Sequence, residues 1–121
     1  MQVQKVFKMI LVLVSSFQIL NAEERFITTL EYGKMLYNNP RGIGCVECHG
    51  HFGEGQQIAN YIHKRKGKTL QGARINNLSF ERFENALQKG RKIMPKYYLT
   101  SSEIEAIYKY LESIENTKAT E

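Results

Sequence analysis

The chain has 121 residues and a formal charge of +5, which bounds it to one small domain with a mild basic bias. No aromatic–basic interleaving and no nucleic-acid motif accompany that charge, so nucleic acid is excluded as a partner. A chain of this length builds only a small hydrophobic core of its own.

In chain order, the first segment reads as a secretory signal peptide. Lys5 and Lys8 supply positive charge, an apolar run covers 9–14, and it resumes at Phe17, Ile19 and Leu20. Ala22 is a small residue suited to cleavage, and Glu23 is the first acid. Leu20 is larger than the residue preferred before such a cut. The alternative is an uncleaved anchor. A spanning helix wants about 20 apolar residues, and this stretch is shorter and broken by Ser15, Ser16 and Gln18. The reading is 1–22 as signal, 23–115 as a single domain and 116–121 as a polar tail, with the periplasm as destination. Removing Lys5 and Lys8 takes the formal charge from +5 to +3.

Residues 24–37 form an expected amphipathic helix, with Phe26, Leu30, Gly33 and Tyr37 at helical spacing. Asn38-Asn39-Pro40-Arg41-Gly42 stops it. Cys45-Val46-Glu47-Cys48-His49 follows, the attachment pattern for c-type haem. On one helical turn the two cysteines share a face, so both thiols can add to the vinyl groups of one porphyrin. His49 lies on that face and can turn a ring nitrogen to the iron as proximal ligand. Cys45 and Cys48 are the only cysteines in the chain. Two ionised haem propionates would bring the net charge close to neutral.

Residues 50–77 read mostly as loop, with one helical turn over 58–63. Ser79 is an expected N-cap and Gly90 an expected stop for a helix over 80–89, with Phe80, Phe83, Ala86 and Leu87 as its apolar stripe. Thr100 and Glu103 make a capping box for the last helix, where Ile104, Ile107, Tyr108, Leu111 and Ile114 recur at steps of three and four. No segment alternates as a strand, and the reading is all-α.

A low-spin haem needs a sixth ligand. After the signal segment only Met35 and Met94 carry a thioether. Met35 precedes the motif and belongs on the proximal side. Met94 lies far enough beyond His49 to return on the opposite face, and Pro95 stiffens its turn. The bland reading of any Met is core filling. His63 on its loop could replace Met94, whereas His51 is too near His49 to reach across. Two further alternatives stand beside the haem: a dithiol redox pair, which lacks its βαβ context, and a zinc site, whose histidine spacing is too long. Lys64, Arg65, Lys66 and Lys68 form one basic group, and Lys89, Arg91, Lys92 and Lys96 a second flanking Met94. Each is either a solvated face or part of a ring that steers an acidic redox partner.

With Gly33-Lys34-Met35-Leu36-Tyr37, Cys45-Val46-Glu47-Cys48-His49-Gly50, Ile93-Met94-Pro95-Lys96-Tyr97 and the last helix in this order, the chain resembles a small monohaem class I cytochrome c of the secreted bacterial type. The resemblance implies a cytochrome c-like fold of about four to five helices around one covalent haem c. It implies thioether attachment at Cys45 and Cys48 and axial His49 and Met94. Ile43, Arg74, Leu78, Ile93, Pro95, Tyr97 and Tyr98 are the expected haem surroundings, with Arg74 suited to a propionate. The first and last helices are expected to cross closely at Gly33. The implied role is a periplasmic electron carrier, not an enzyme. It is expected to be monomeric, with redox proteins as partners and no small-molecule substrate. The alternatives are a haem-based sensor or ligand-binding module with a labile Met94, and a small peroxidase, which lacks a distal His–Arg pair. Many relatives orient the proximal histidine through a proline carbonyl shortly after the motif. This chain has no proline between Pro40 and Pro95, so the partner of His49 is not legible.

Overall fold

A computed structural model describes residues 1–4, 27–91 and 93–118. The signal segment, residues 24–26 of the first expected helix, Lys92 and the last three residues lie outside the described residues. Among the described residues no helix is long and apolar enough to cross a membrane.

Helix α1 spans Thr29–Asn38, α2 Val46–His49, α3 Phe80–Lys89 and α4 Ser101–Lys118. Strands β1 (Gln57–His63) and β2 (Lys66–Gln71) lie between α2 and α3. The two strands pair antiparallel as a hairpin. The all-α expectation is therefore corrected: helices dominate, but 57–71 is a β-hairpin rather than loop and helical turn. Lys64 and Arg65 form its two-residue turn with φ of 50° and 62°. A turn with both central residues left-handed matches the right-handed twist of paired strands.

The first helix also begins later than its periodicity suggests. Thr28 caps it: the Glu31 N–H donates to Thr28 Oγ1 at 3.2 Å, and the Thr28 N–H donates to Glu31 Oε2 at 2.9 Å. This reciprocal pair satisfies two donors that a helix start leaves free. The remaining helices follow the sequence closely. Gly90 closes α3 at φ 64°, its N–H donating to Ala86 O. Ser79 takes the N-cap position, although its side chain makes no capping bond. Thr100 and Glu103 form the expected box, and α4 runs on through residues 116–118, part of the expected tail.

The core lies where α1 crosses α4. Leu36, Tyr37, Ile104, Ile107 and Leu111 are buried there. Gly33 makes the crossing possible, because a Cβ at this position would overlap the Ala106 carbonyl. The Tyr37 and Tyr110 rings meet at 5.8 Å. Helix α3 joins from the other side: Phe80 and Phe83 pack around Tyr108 at 5.3 and 5.6 Å. These elements leave a cleft between α2, α3 and the segment after α3.

Candidate haem site

The motif helix is only one turn long, so its surroundings must hold it. Cys45 N–H donates to Tyr37 O at 2.9 Å, and His49 N–H closes the turn on Cys45 O at 2.9 Å. Two carbonyls left open by so short a helix, Val46 O and Glu47 O, accept from Gln56 Nε2 at 3.0 and 2.7 Å. Tyr37 donates its hydroxyl to Gly50 O at 2.6 Å and pins the exit. Cys45 and Cys48 are free thiols, the first buried and the second partly exposed. Burial pushes the Cys45 thiol up to about 11.

His49 Nδ1 lies 2.7 Å from Ala73 O. A carbonyl only accepts, so Nδ1 carries the proton and Nε2 keeps its lone pair for a metal. This bond is the orienting contact that the missing proline left unassigned. Gly72 brings Ala73 into place: it passes so close to Cys48 O that a Cβ would overlap it, and its N–H donates to Gln56 O at 2.8 Å. The end of β2 thus sets the imidazole tautomer. No side-chain signal could have disclosed a backbone carbonyl in this role.

Two cavities of about 590 and 720 Å³ share Cys45, His49, Ala73 and Met94 in their walls. Leu78, Phe83, Leu87 and Ile107 line the first. Cys48, Ile58, Leu70, Ile93, Pro95 and Tyr97 line the second. The walls are mainly apolar, with an imidazole, a thioether and two thiols among them. A large flat apolar ring system bearing a central metal suits this space, and the donor set matches iron held by nitrogen and sulfur. Arg91 and Met94 pair across an isolated antiparallel bridge after Gly90, which turns the chain back so that Met94 reaches both cavities. Met35 is instead 58% exposed on α1.

The other expected surroundings divide. Arg74 lines the first cavity, while its guanidinium also reaches Glu115 at 2.8 Å and Asn76 at 2.6 Å. Tyr97 donates its hydroxyl to Ile43 O at 2.7 Å, tying the segment before the motif to the segment after Met94. Burial first, then the two thiols, push its phenol up to about 12. Ile43 itself lines neither cavity, and Tyr98 points outward, 84% exposed under Lys96. Lys89 and Arg91 of the second basic group line both cavities. Among the described residues no group of three or more His, Cys, Asp or Glu is arranged around a metal ion, so the zinc alternative has no support.

Comparison with protein families matches Cytochrome c over residues 30–115. The chain belongs to the cytochrome c family. It is a haem-binding electron-transfer protein, and the family holds its haem c covalently. Curated proteins and solved structures give no match. For a cytochrome c, the matched span takes in α2, the hairpin, α3 and the start of the Met94 segment through most of α4.

Proposed function

We propose that the chain is a periplasmic, monomeric, monohaem electron carrier with His49 and Met94 as axial ligands and Cys45 and Cys48 as thioether anchors. The observation that carries this reading is the shared wall of the two cavities, which contains Cys45, His49 and Met94 together. When bound, the haem supplies a one-electron ferric/ferrous couple. The chain's own residues do the rest. Ala73 O fixes the His49 tautomer and raises the basicity of Nε2. The soft sulfur of Met94 favours the reduced metal. With protein donors on both sides, no position is left for oxygen, peroxide or an organic substrate, which separates a carrier from a sensor or peroxidase. The apolar walls exclude water and keep reorganisation small. Redox proteins are its partners, and the signal-like segment directs it to the periplasm.

The test is the oxidised spectrum of Met94→Ala. The weak near-infrared band of a Met–iron pair is expected in the native protein and lost in the variant. The potential is expected to fall by on the order of 0.1–0.3 V within the ~0.8 V range that axial ligands span. A variant that keeps both band and potential removes Met94 from the iron.

A further inference from the structure

The hairpin at 57–71 is unusual in composition. It holds Lys64, Arg65, Lys66 and Lys68 and no acidic residue. The whole chain carries +5, so the remainder balances to within one charge. Among the described residues the three ion pairs use Arg41, Arg74 and Lys109, and none neutralises a hairpin cation. The positive charge of this protein is therefore gathered on one protruding element. Its turn places Lys64 and Arg65 in left-handed backbone, where Asn-Gly would be unstrained. Two basic residues stand where local stability favours others.

The register shows which way this charge faces. Partnered residues on paired strands share a face, and faces alternate along each strand. Ala59 pairs Leu70, Tyr61 pairs Lys68 and His63 pairs Lys66. These three pairs therefore lie on one face, and Leu70 on that face lines the second cavity beside Cys48 and Ile58. Asn60, Thr69, Ile62 and Gly67 occupy the other face, where Asn60 and Thr69 bond at 2.9 Å. The exposed Ile62 is thus segregated from the cations. A membrane-inserting tip would gather its apolar side chains between them.

We propose that this basic face is the docking surface for an acidic redox protein, which seats its carboxylates on Lys66 and Lys68 and delivers or takes the electron at the Cys48 edge of the site. The proposal rests on the electron-carrier reading. Steering by so concentrated a charge raises the encounter rate and orients the partner.

The experiment uses the purified holoprotein. Lys66→Gln/Lys68→Gln removes two charges from the face and leaves the turn intact. Lys34→Gln/Lys109→Gln removes two from α1 and α4, on residues that line neither cavity. Stopped-flow oxidation of each reduced protein by hexacyanoferrate(III) supplies an anionic probe, and tris(phenanthroline)cobalt(III) a cationic one. Midpoint potentials are measured alongside to correct for driving force. At low ionic strength the hairpin variant is expected to react about threefold or more slowly with the anion, with the reverse order for the cation. The α1/α4 variant is expected to stay near the native rate. The difference is expected to vanish at high salt. Equal slowing in both variants means net charge alone acts and overturns the proposal. Loss of sedimentation with phosphatidylserine vesicles, at unchanged hexacyanoferrate rates, makes the face a membrane contact and overturns it too. A holoprotein with no reversible couple defeats the electron-carrier reading, whereas a reversible couple with equal rates defeats this proposal alone.

Discussion

Glu103 shows how much a single side chain can organise. It accepts both arms of Arg41, at 2.8 and 3.0 Å, and the Tyr32 hydroxyl at 3.0 Å. The Thr100 N–H donates to it at 2.7 Å. Arg41 also donates to Tyr98 O at 3.0 Å, so one carboxylate links α1, the loop before the motif, and the segment after Met94. The Arg41 guanidinium first, then the Thr100 N–H, hold the Glu103 carboxyl down at about 2 against an ordinary 4.5. A depressed acid adds stability that is fully present above its unfolded value and drains away as pH falls toward its folded value. The native protein is therefore expected to lose stability between pH 4.5 and about 2 on this account. Glu103→Gln is expected to be less stable at pH 7 and flatter across that acid window. Urea unfolding at several pH values measures both. Parallel pH curves for the two proteins would remove Glu103 from the acid response. At this scale the sequence is readable where chemistry resides in side chains. Cys45, Cys48, His49 and Met94 announce themselves by type and spacing, and the capping role of Glu103 does too. Ala73 and Arg41 do not: the first acts through its carbonyl, and the second through a fold-dependent reach to Glu103.

Elements were legible where one face is buried. Helices α3 and α4 carry apolar stripes because each packs against a neighbour, and their caps mark their ends. The hairpin carries no such stripe because nearly all of it is exposed. Strand alternation is a record of burial, and a strand with no buried face records none. Its turn residues, Lys64 and Arg65, also lack the usual Asn or Gly signal. The start of α1 was hidden differently: the apolar spacing runs past Thr28, while the Thr28–Glu31 box decides where the helix begins. The α1–α4 crossing gives a sharp test. Gly33→Ala gains about 1 kcal/mol of helix propensity. Against this, its Cβ meets the rigid Ala106 carbonyl, which belongs to helix backbone and cannot swing aside. Overpacking of this kind costs about 1–3 kcal/mol, and more when backbone must move. A net loss of about 1–3 kcal/mol is expected in urea unfolding. Gly67→Ala is the matched control, since nothing lies within 4 Å of its Cβ position. If the two substitutions behave alike, the crossing does not depend on the missing side chain.

At the scale of the whole molecule, the fold is two unequal halves. The α1–α4 pair is closed by its own side chains, from Leu36 and Tyr37 to Ile107 and Leu111. The other half consists of α2, α3 and the Met94 segment arranged around space. Kept dry and empty, a void of 590 Å³ would cost on the order of 14 kcal/mol at ~24 cal/mol per Å³. That matches the entire net stability of an ordinary domain, about 5–15 kcal/mol. The walls therefore stay apart only when something fills them, and the cofactor is a structural part of the core. The double variant Cys45→Ser/Cys48→Ser, which cannot form thioethers, tests this. Its expected behaviour is loss of near-ultraviolet circular dichroism, since Tyr97, Phe83 and Tyr108 lose fixed surroundings. Far-ultraviolet helicity is expected to drop by roughly the share of α2 and α3, with α1 and α4 retaining part of theirs through the Gly33 crossing. Urea unfolding is expected to become broad, because cooperativity requires both halves to be ordered. A serine variant that unfolds as sharply as the native holoprotein, at a similar urea concentration, would show that the polypeptide closes its own core and that the cleft is not held open by what it binds.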